Sequence, residues 1–322
     1  MITAEGKLLL LAMGGTIAFS DGPGGAVPDS NGEELLAAVP RDSVDSRDLA
    51  KISSVGIEDR HLLQLVDAIE EGIEAGYGGI VVTHGTDTIE ETAYFLALTL
   101  ERGRVPLVLT AAMRHNGRAD SDGPANLQAA FRVARDGEVR EAGPVVVFAD
   151  EIHPARFVTK AHGASLAAFR SSSGPLGEII EDRVILRMMP SYTDYLGSVR
   201  QPRLPRVELA AMAIGADPRA LRALLGIHPD GIVIEGLGAG HLPPSVVECV
   251  EEAVGEGIAV VIASRCGDGP TLQNTYGMPG GEIDLQARGA VMAGTLSAAK
   301  ARLRLAVALA NEIPVAAAFP VP

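Results

Sequence analysis

Thr16 follows two glycines at the end of the first apolar run, in the segment MGGTIA at residues 13–18. The glycines permit a tight turn and let a ligand approach the backbone closely, so the Thr16 hydroxyl can face a binding crevice. A threonine hydroxyl becomes a useful nucleophile when a neighbouring group removes its proton. Taken alone, the segment also fits a structural turn or a phosphate loop, although it lacks both G-x-G-x-x-G and the Lys-Ser/Thr pair of a P-loop.

A second polar segment, THGTDT at residues 83–88, lies between an apolar run and an amphipathic run. Thr86 or Asp87 alone could cap the helix that follows, since a side-chain oxygen there accepts a hydrogen bond from a free backbone N–H. One cap is enough for one helix, however, and the segment holds three threonines, an aspartate and a histidine. This excess of polar groups favours a functional site that includes Thr86 and Asp87.

Two further polar segments follow later in the chain. Residues 110–127 contain TAAMR and then SDGPANL, in which Asp122 suits a helix N-cap and Pro124 suits the first helical turn, so a rim loop is expected here. Lys160 follows Thr159 in a segment of irregular periodicity. A single lysine is usually a solvated surface charge, but the chain has only four lysines, which makes Lys160 a candidate once it has a partner.

Alternating β-branched and amphipathic runs must position these segments. The first half of the chain predicts strands at 7–12, 79–83, 106–110 and 144–149, and helices at 33–39, 60–75, 89–102 and 124–136. The second half predicts strands at 207–213, 231–235 and 259–263, and helices at 218–225, 244–255 and 297–310. Such alternation indicates parallel sheets covered on both faces. Ligands bind beyond the carboxyl ends of these strands, where the polar segments lie.

The predicted fold consists of two α/β domains, in keeping with a length of 322 residues. A larger N-terminal parallel-sheet domain is expected at 1–190, a linker at 191–206 and a smaller C-terminal α/β domain at 207–322. The linker is assigned where Pro190, Pro202 and Pro205 stand among few apolar runs. Between residues 151 and 189 the irregular periodicity predicts a hairpin excursion at the sheet edge.

A net charge of −14 argues against a nucleic-acid partner, because the average surface would repel a phosphate backbone. No stretch approaches the roughly 20 apolar residues that a membrane helix needs, so no membrane partner is expected. The apolar run at 8–12 is too short for a secretory leader, and the expected location is the cytoplasm. Cys249 and Cys266 have neither disulfide nor metal spacing and are expected to be buried free thiols.

Together the polar segments resemble the bacterial asparaginase/glutaminase family. The resemblance rests on GGTIA, HGTDT, AAMR, SDGPANL and a Thr-Lys pair before GPLG, in the family's order from Leu9 to about Leu309. HGTDT-x-EETA followed by AMR and DGP-x-NL is the most specific part. The resemblance implies two α/β domains and a homodimer or homotetramer whose sites are completed across subunits. No metal or organic cofactor is expected, because Asp87, Glu282 and the histidines show no metal-ligand spacing.

The resemblance also implies a role for each matching residue. Thr16 matches the nucleophilic threonine, whereas Thr86, Asp87 and Lys160 match the second threonine, the aspartate and the lysine of the family's relay. In the implied reaction Thr16 attacks a side-chain carboxamide, ammonia leaves, and water hydrolyses the acyl-enzyme. Backbone N–H groups around Thr16 and Thr86 are the expected oxyanion donors. Ala112 matches a position whose backbone carbonyl lies at the site.

Further matches concern substrate binding. Asp87 matches the residue that holds the α-ammonium group, and Ser54 matches the serine that binds the α-carboxylate. Glu282 matches a glutamate that reaches the site of a neighbouring subunit. Both matches leave an alternative open. Ser54 can be an ordinary loop serine, and Glu282 can fail to correspond to the family's glutamate because the loop before it is divergent.

The sequence departs from the family pattern at two places. Residues 19–31 contain no tyrosine, although family members carry a catalytic tyrosine on this mobile loop. Tyr276 falls where some relatives have a tyrosine near the site and is the predicted substitute. The alternatives are that Tyr276 is an ordinary loop aromatic, or that Lys160 and Thr86 serve both half-reactions. Val55 stands where many relatives have a polar residue touching the substrate amine, which leaves the substrate preference open.

The predicted function is hydrolysis of L-asparagine to L-aspartate and ammonia. One alternative is an amidase that acts on glutamine or another small carboxamide. Another is the ammonia-supplying subunit of an archaeal glutamyl-tRNA amidotransferase, which shares these motifs and carries an extra N-terminal domain. A third, from a different class, is a non-catalytic amide-binding homologue.

Overall fold

A computed structural model of the chain describes residues 6–22, 24–28, 31–36 and 43–320. These residues form two compact units that divide between Tyr195 and Leu196. The division falls inside the segment 191–206, whose role as a linker stays a prediction. None of the helices within the described ranges is both long and apolar enough to cross a membrane.

The first unit contains a large sheet, two short hairpins and helices. Its strands are β1 (Leu8–Gly14), β2 (Phe19–Gly22), β3 (Gly25–Pro28), β4 (Val44–Ile52), β5 (Gly79–Thr83), β6 (Leu107–Thr110), β7 (Val145–Phe148), β8 (Glu151–Pro154), β9 (Val158–Lys160), β10 (Phe169–Ser171), β11 (Gly177–Ile180) and β12 (Arg183–Leu186). Its helices are α1 (Gly32–Leu36), α2 (Asp59–Glu74), α3 (Ile89–Thr99) and α4 (Gly123–Ala134).

The large sheet has eight strands in the order β12-β11-β8-β7-β6-β5-β1-β4. Strands β4, β1, β5, β6 and β7 are parallel, and β8, β11 and β12 extend this sheet in antiparallel pairs. After β1 the chain adds β4 on one side, whereas after β5 it adds β6 on the other. The strand order therefore reverses between β1 and β5, and a binding crevice is expected at their carboxyl ends.

The central strands read as continuous apolar runs because both faces of the sheet are covered. Every residue of β1, β5, β6 and β7 is buried. On one face Leu10 belongs to the same core cluster as Leu127 of α4. On the other face α2 comes so close that a Cβ atom on Gly72 would lie 2.8 Å from Leu9 Cδ2. Close helix-on-sheet packing thus holds the strand ends that carry the polar segments.

The second unit is a smaller α/β layer structure. Its strands are β13 (Val207–Ala211), β14 (Gly231–Gly236), β15 (Ala259–Ser264) and β16 (Val291–Met292), and its helices are α5 (Pro218–Leu225), α6 (Val247–Gly255), α7 (Glu282–Ala287), α8 (Ala298–Ala310) and α9 (Val315–Ala318). The four strands are parallel and follow one another in chain order. The prediction of two α/β domains, the larger one N-terminal, is confirmed.

Several local predictions need comment. The expected hairpin excursion is confirmed as the short strands β8 to β12, and the helix expected at 33–39 is observed as α1, with residues 37–39 outside the described ranges. Strand β4 and helix α7 were not predicted. The prediction of two buried thiols is wrong for Cys266, which is exposed, and right for Cys249.

Candidate active site

Thr16 lies beside the 83–88 segment because the turns after β1 and β5 touch. Gly14 and Gly15 have φ angles of 94° and 80°, a region that glycine adopts without steric cost. A Cβ atom on Gly15 would lie 2.3 Å from the backbone nitrogen of Gly85, so no side chain separates the two turns. Thr16 begins a short 3₁₀ helix, Thr16–Ala18, and is half-buried. Its position is thus the one expected for a group facing the crevice.

Lys160 joins the hydroxyl and the carboxylate of the 83–88 segment. Its Nζ donates hydrogen bonds to Thr86 Oγ1 at 2.8 Å and to Asp87 Oδ1 at 2.6 Å. Thr86 is only 5% exposed, whereas the Asp87 side chain is about half exposed, at 52%. The lysine therefore has the partners that distinguish it from a solvated surface charge. Asp87 keeps enough open surface to meet a ligand.

Ser54 lies against the same segment from the end of β4. It begins the short 3₁₀ helix Ser54–Gly56 and is buried. Its Oγ accepts a hydrogen bond from the Asp87 backbone N–H at 3.2 Å, and its carbonyl accepts one from Thr88 Oγ1 at 2.9 Å. The structure thus brings together Thr16, Ser54, Thr86, Asp87 and Lys160 within the first unit.

Ala112 follows β6 and is fully buried. A Cβ atom on Gly123, at the start of α4, would lie 3.1 Å from Ile17 Cγ1 and 3.5 Å from Ala112 Cβ. The same helix start therefore packs against the turn after β1 and the loop after β6. This packing places Ala112 near the residue that follows Thr16.

The carboxylate of Asp122 holds the loop after β6 and does not cap α4. Its Oδ2 accepts a hydrogen bond from Met113 N at 3.0 Å, and its Oδ1 accepts one from Arg114 N at 2.8 Å. Asp122 does stand at the N-cap position, but its side chain makes no capping bond. The capping role suggested by sequence is therefore wrong, because two loop N–H groups bind this carboxylate.

Neither Thr86 nor Asp87 caps α3. The N-cap position belongs to Thr88, which makes no side-chain capping bond. The alternative interpretation of the 83–88 segment as a simple helix cap is therefore not supported, and both side chains are available to the site.

His84 is a buried polar residue to which the sequence assigned no role. Its Nδ1 lies 2.8 Å from the Gly85 carbonyl oxygen, and its Nε2 lies 3.0 Å from Thr92 Oγ1. Burial lowers the pKa of His84 to about 4, against the smaller opposite effect of the Gly85 carbonyl. The imidazole is therefore neutral at pH 7, and it ties the Gly85 backbone to α3. The signal available in the sequence was a histidine directly after an apolar strand.

Tyr276 and Glu282 belong to the second unit. Glu282 is fully buried, and its Oε1 accepts hydrogen bonds from Thr275 N at 2.5 Å and Tyr276 N at 2.7 Å. His241 Nε2 lies 3.3 Å from Glu282 Oε2. Burial by itself would raise the pKa of Glu282, but these hydrogen bonds together hold it below its ordinary value. Glu282 thus anchors the loop that carries Tyr276.

Tyr276 is 45% exposed, and its ring packs edge-on against His241 with 5.0 Å between ring centroids. Its predicted catalytic role, and the predicted contact of Glu282 with a substrate in a neighbouring subunit, stay predictions. Within the described ranges, no group of three or more His, Cys, Asp or Glu residues is arranged to hold a metal ion.

Known families match both units of the chain. Residues 7–192 match the model described as Asparaginase, N-terminal, and residues 206–317 match the Glutaminase/Asparaginase C-terminal domain. The L-asparaginase of Bacillus licheniformis is 35% identical over 95% of this chain and 96% of its own length. The probable L-asparaginase of Deinococcus radiodurans is 36% identical over 94% of this chain and 92% of its own length.

A solved structure agrees with these matches. The crystal structure of a probable cytoplasmic L-asparaginase from Campylobacter jejuni superposes with a TM-score of 0.87 at 30% identity, covering 98% of this chain and 99% of that one. The fold and the matches define a two-unit α/β hydrolase that acts on linear amide C–N bonds. The chain belongs to the asparaginase family.

Proposed function

We propose that this protein hydrolyses L-asparagine to L-aspartate and ammonia through an acyl-enzyme formed on Thr16. The observation that carries the proposal is the hydrogen bond of 2.8 Å from Lys160 Nζ to Thr86 Oγ1, in the segment that touches the Gly15 turn. This hydrogen bond offers a path for the proton of the half-buried Thr16 hydroxyl, at the place where the strand order reverses between β1 and β5. The names of the Bacillus licheniformis and Deinococcus radiodurans relatives support asparagine as the substrate.

In the first half-reaction Thr16 Oγ attacks the carboxamide carbon while its proton passes through Thr86 to Lys160, a step that requires the Lys160 amine in its uncharged form. The C–N bond then breaks, and the departing nitrogen takes up that proton from Lys160 by way of Thr86 and leaves as ammonia. In the second half-reaction water attacks the ester and the Thr16 hydroxyl is restored. Backbone N–H groups around Thr16 and Thr86 stabilise the oxyanion, and each such donor is commonly worth about 3 kcal/mol.

Substrate binding in this proposal is electrostatic. The half-exposed carboxylate of Asp87 binds the α-ammonium group, Ser54 binds the α-carboxylate, and the Ala112 carbonyl contacts the reacting carboxamide. Holding the substrate in a reactive position supplies a large part of the rate enhancement of such enzymes. The hydrogen bond of 3.2 Å from Asp87 N to Ser54 Oγ supports this assignment, because it places the two substrate-binding residues next to each other.

A second candidate function is amidase activity on glutamine or another small carboxamide. Val55 follows Ser54 and exposes 74% of its surface, and an apolar side chain offers no hydrogen bond to a substrate amine. Weaker selection for asparagine would follow. A panel of asparagine, glutamine and simple amides, assayed for ammonia, separates the two functions. The non-catalytic alternative predicts no turnover of any amide in the panel, with intact folding and ligand binding.

The decisive variant is Thr16→Ala. We expect it to abolish ammonia release while the circular dichroism spectrum stays unchanged, and acid-quenched wild-type enzyme to carry an acyl adduct at residue 16 by mass spectrometry. Thr193→Ala, which changes an exposed threonine of the same unit, is the control and should retain full activity. Substantial activity in Thr16→Ala, or an adduct on another residue, would contradict the mechanism.

Location and assembly are part of the proposal. The Campylobacter jejuni relative is described as a probable cytoplasmic enzyme, and a cytoplasmic location is proposed for this chain as well. We also propose a homodimer or homotetramer, with no nucleic-acid or membrane partner and no cofactor. Light scattering on the purified protein measures the mass of the assembly.

A further inference from the structure

Lys160 is held at its backbone as well as at its amine. The backbone N–H of Lys160 donates a hydrogen bond to Glu90 Oε2 at 2.5 Å, while Nζ reaches Thr86 and Asp87. Residues 86–90 thus provide every one of these partners, although they lie 70 or more positions before Lys160 in the chain. One short segment at the start of α3 binds both ends of the lysine.

The strand that carries Lys160 is not part of the large sheet. Strands β9 and β10 form a separate two-stranded sheet, in which Lys160 lies opposite Phe169. Ala161 N donates to the Ala168 carbonyl on the β10 side. Because successive N–H groups of a strand point to opposite sides, the Lys160 N–H points to the edge of β9 away from β10. Glu90 supplies the acceptor at this edge.

This bond matters because of the length of a lysine side chain. Four rotatable bonds separate the Lys160 backbone from Nζ, and an unanchored backbone would let the amine adopt many positions. Phe169 fixes the opposite strand by packing on Phe148, with 4.9 Å between ring centroids. On β9 itself, the hydrogen bond from the Lys160 N–H to the Glu90 carboxylate fixes the backbone at Lys160.

We propose that Glu90 is a positioning residue for the reaction. Its carboxylate fixes the Lys160 backbone so that Nζ meets Thr86 Oγ1 in the geometry that proton transfer needs. Glu90 acts through the lysine and has no assigned contact with substrate. The inference rests on the proposed function, since it assumes that the Lys160–Thr86 pair moves the proton of Thr16.

Helix stabilisation is the competing explanation for Glu90. Carboxylates in the first turn favour a helix through its dipole, and both Glu90 and Glu91 stand in the first turn of α3. The two explanations differ in what they require of the side chain. A dipole effect needs the negative charge, whereas positioning needs only an oxygen that accepts the Lys160 N–H.

The experiment compares Glu90→Gln with Glu90→Met in the full-length protein, assayed for ammonia release from asparagine. Glutamine keeps an acceptor oxygen and loses the charge, whereas methionine keeps the length and loses the acceptor. We expect Glu90→Met to lower kcat by about 10- to 100-fold, the scale of a small misplacement of a reacting group, with KM within about threefold. Glu90→Gln should keep kcat within about threefold. Glu91→Met, which removes the neighbouring carboxylate, is the control and should keep kcat near wild type.

Two further measurements separate positioning from a loss of folding. In the Lys160→Met background, Glu90→Met should change kcat by less than about twofold, since coupled residues are not additive. Acetylation of Lys160 by a small reagent, followed by mass spectrometry, should be at least about fivefold faster in Glu90→Met than in wild type. The same acetylation test can be made in the inactive Thr16→Ala background.

Three outcomes would overturn the inference: wild-type kcat in Glu90→Met, an equal loss in Glu90→Gln and Glu90→Met, or unchanged acetylation of Lys160. A failure of the proposed function looks different, because Thr16→Ala or Lys160→Met would then retain wild-type activity. If Glu90→Met does not fold, Glu90→Gln still tests the inference. The inference requires that Glu90→Gln retains kcat and that its Lys160 is acetylated as slowly as in wild type, and a loss of either would overturn it.

Discussion

A Cβ atom on Gly85 would lie 2.5 Å from the Oγ of Ser54, closer than Cβ atoms approach other atoms in real structures. The serine occupies the space that a side chain at position 85 would fill. From there its Oγ accepts the backbone N–H of Asp87, a residue 33 positions away in the chain. The lack of a side chain at Gly85 therefore allows Ser54 and Asp87, the two proposed contacts for the substrate's charged groups, to lie side by side.

We expect Gly85→Ala to displace Ser54 and raise KM for asparagine by about tenfold or more, which corresponds to about 1.4 kcal/mol of binding. Steady-state kinetics of ammonia release measures the change. Gly56→Ala is the matched control, because Gly56 lies in the same short helix as Ser54 and a Cβ atom there meets nothing within 4 Å. An unchanged KM in Gly85→Ala would show that Ser54 does not depend on this contact.

Local sequence predicts those parts of the fold whose environment is uniform. Strands β1 and β5 are buried on both faces, and so they read as apolar runs. Strand β4 was not predicted because it is the edge strand beside β1 and is partly exposed along its length. Its sequence VDSRDLAKI shows neither an apolar run nor a strict alternation. The strand that positions Ser54 could therefore not be predicted from the periodicity of the sequence.

The site could be predicted only in part for a similar reason. The excess of polar groups at 83–88 is a local signal, but the partners of Lys160 lie more than 70 residues away, and its sequence neighbourhood alone suggests a surface charge. Asp122 shows the opposite error. It stands where a helix cap is expected, yet free N–H groups of Met113 and Arg114 bind its carboxylate. Local spacing does not show that N–H groups of a loop, eight or nine residues earlier in the chain, compete with the helix for the Asp122 carboxylate.

Glu282→Ala should destabilise the second unit. The substitution leaves the N–H groups of Thr275 and Tyr276 without their carboxylate acceptor, and hydrogen bonds to a charged group are worth about 1.5–3 kcal/mol each. We expect a lower midpoint of thermal unfolding at pH 7. Because the folded-state pKa of Glu282 is lowered, its stabilisation is present above the unfolded pKa of about 4.5 and is lost as pH falls below it.

A second variant, Glu282→Gln, tests the predicted role of Glu282 at a neighbouring subunit's site. Glu282→Gln, which keeps an acceptor oxygen, should retain most of the stability. A KM near wild type in this variant would limit Glu282 to anchoring its loop. A KM raised tenfold or more in a stable Glu282→Gln enzyme would support the substrate contact.

Tyr276→Phe tests whether Tyr276 replaces the missing loop tyrosine. The phenyl ring can keep the edge-on contact with His241, and only the hydroxyl is lost. If that hydroxyl transfers a proton, kcat should fall by about 100-fold or more, with little change in the thermal midpoint. Tyr195→Phe removes a hydroxyl from another tyrosine and should leave kcat unchanged. A Tyr276→Phe enzyme as fast as wild type would eliminate the substitution and favour a relay in which Lys160 and Thr86 serve both half-reactions.

Two buried histidines should make the protein less stable in mild acid. Burial lowers the pKa of both His84 and His153 to about 4. The unfolded chain, with ordinary histidines near pKa 6.5, then binds more protons than the folded protein between pH 6.5 and pH 4. The free energy of unfolding must therefore fall as pH decreases through this window. Above about pH 7.5 the histidines make almost no further change.

His153 allows this effect to be measured outside the proposed active site. Its Nδ1 lies 3.0 Å from Ser171 Oγ, and the Glu151 carboxylate lies 3.3 Å from its Nε2. From the two pKa values, His153 accounts for about 2 kcal/mol of the stability lost between pH 7 and pH 5. Urea unfolding of His153→Gln at both pH values should show a smaller loss than wild type by about that amount. An equal loss of stability in the two proteins would mean that His153 is already protonated in the folded state at pH 5. The attraction of the protonated imidazole to the Glu151 carboxylate would then outweigh the cost of burying its charge.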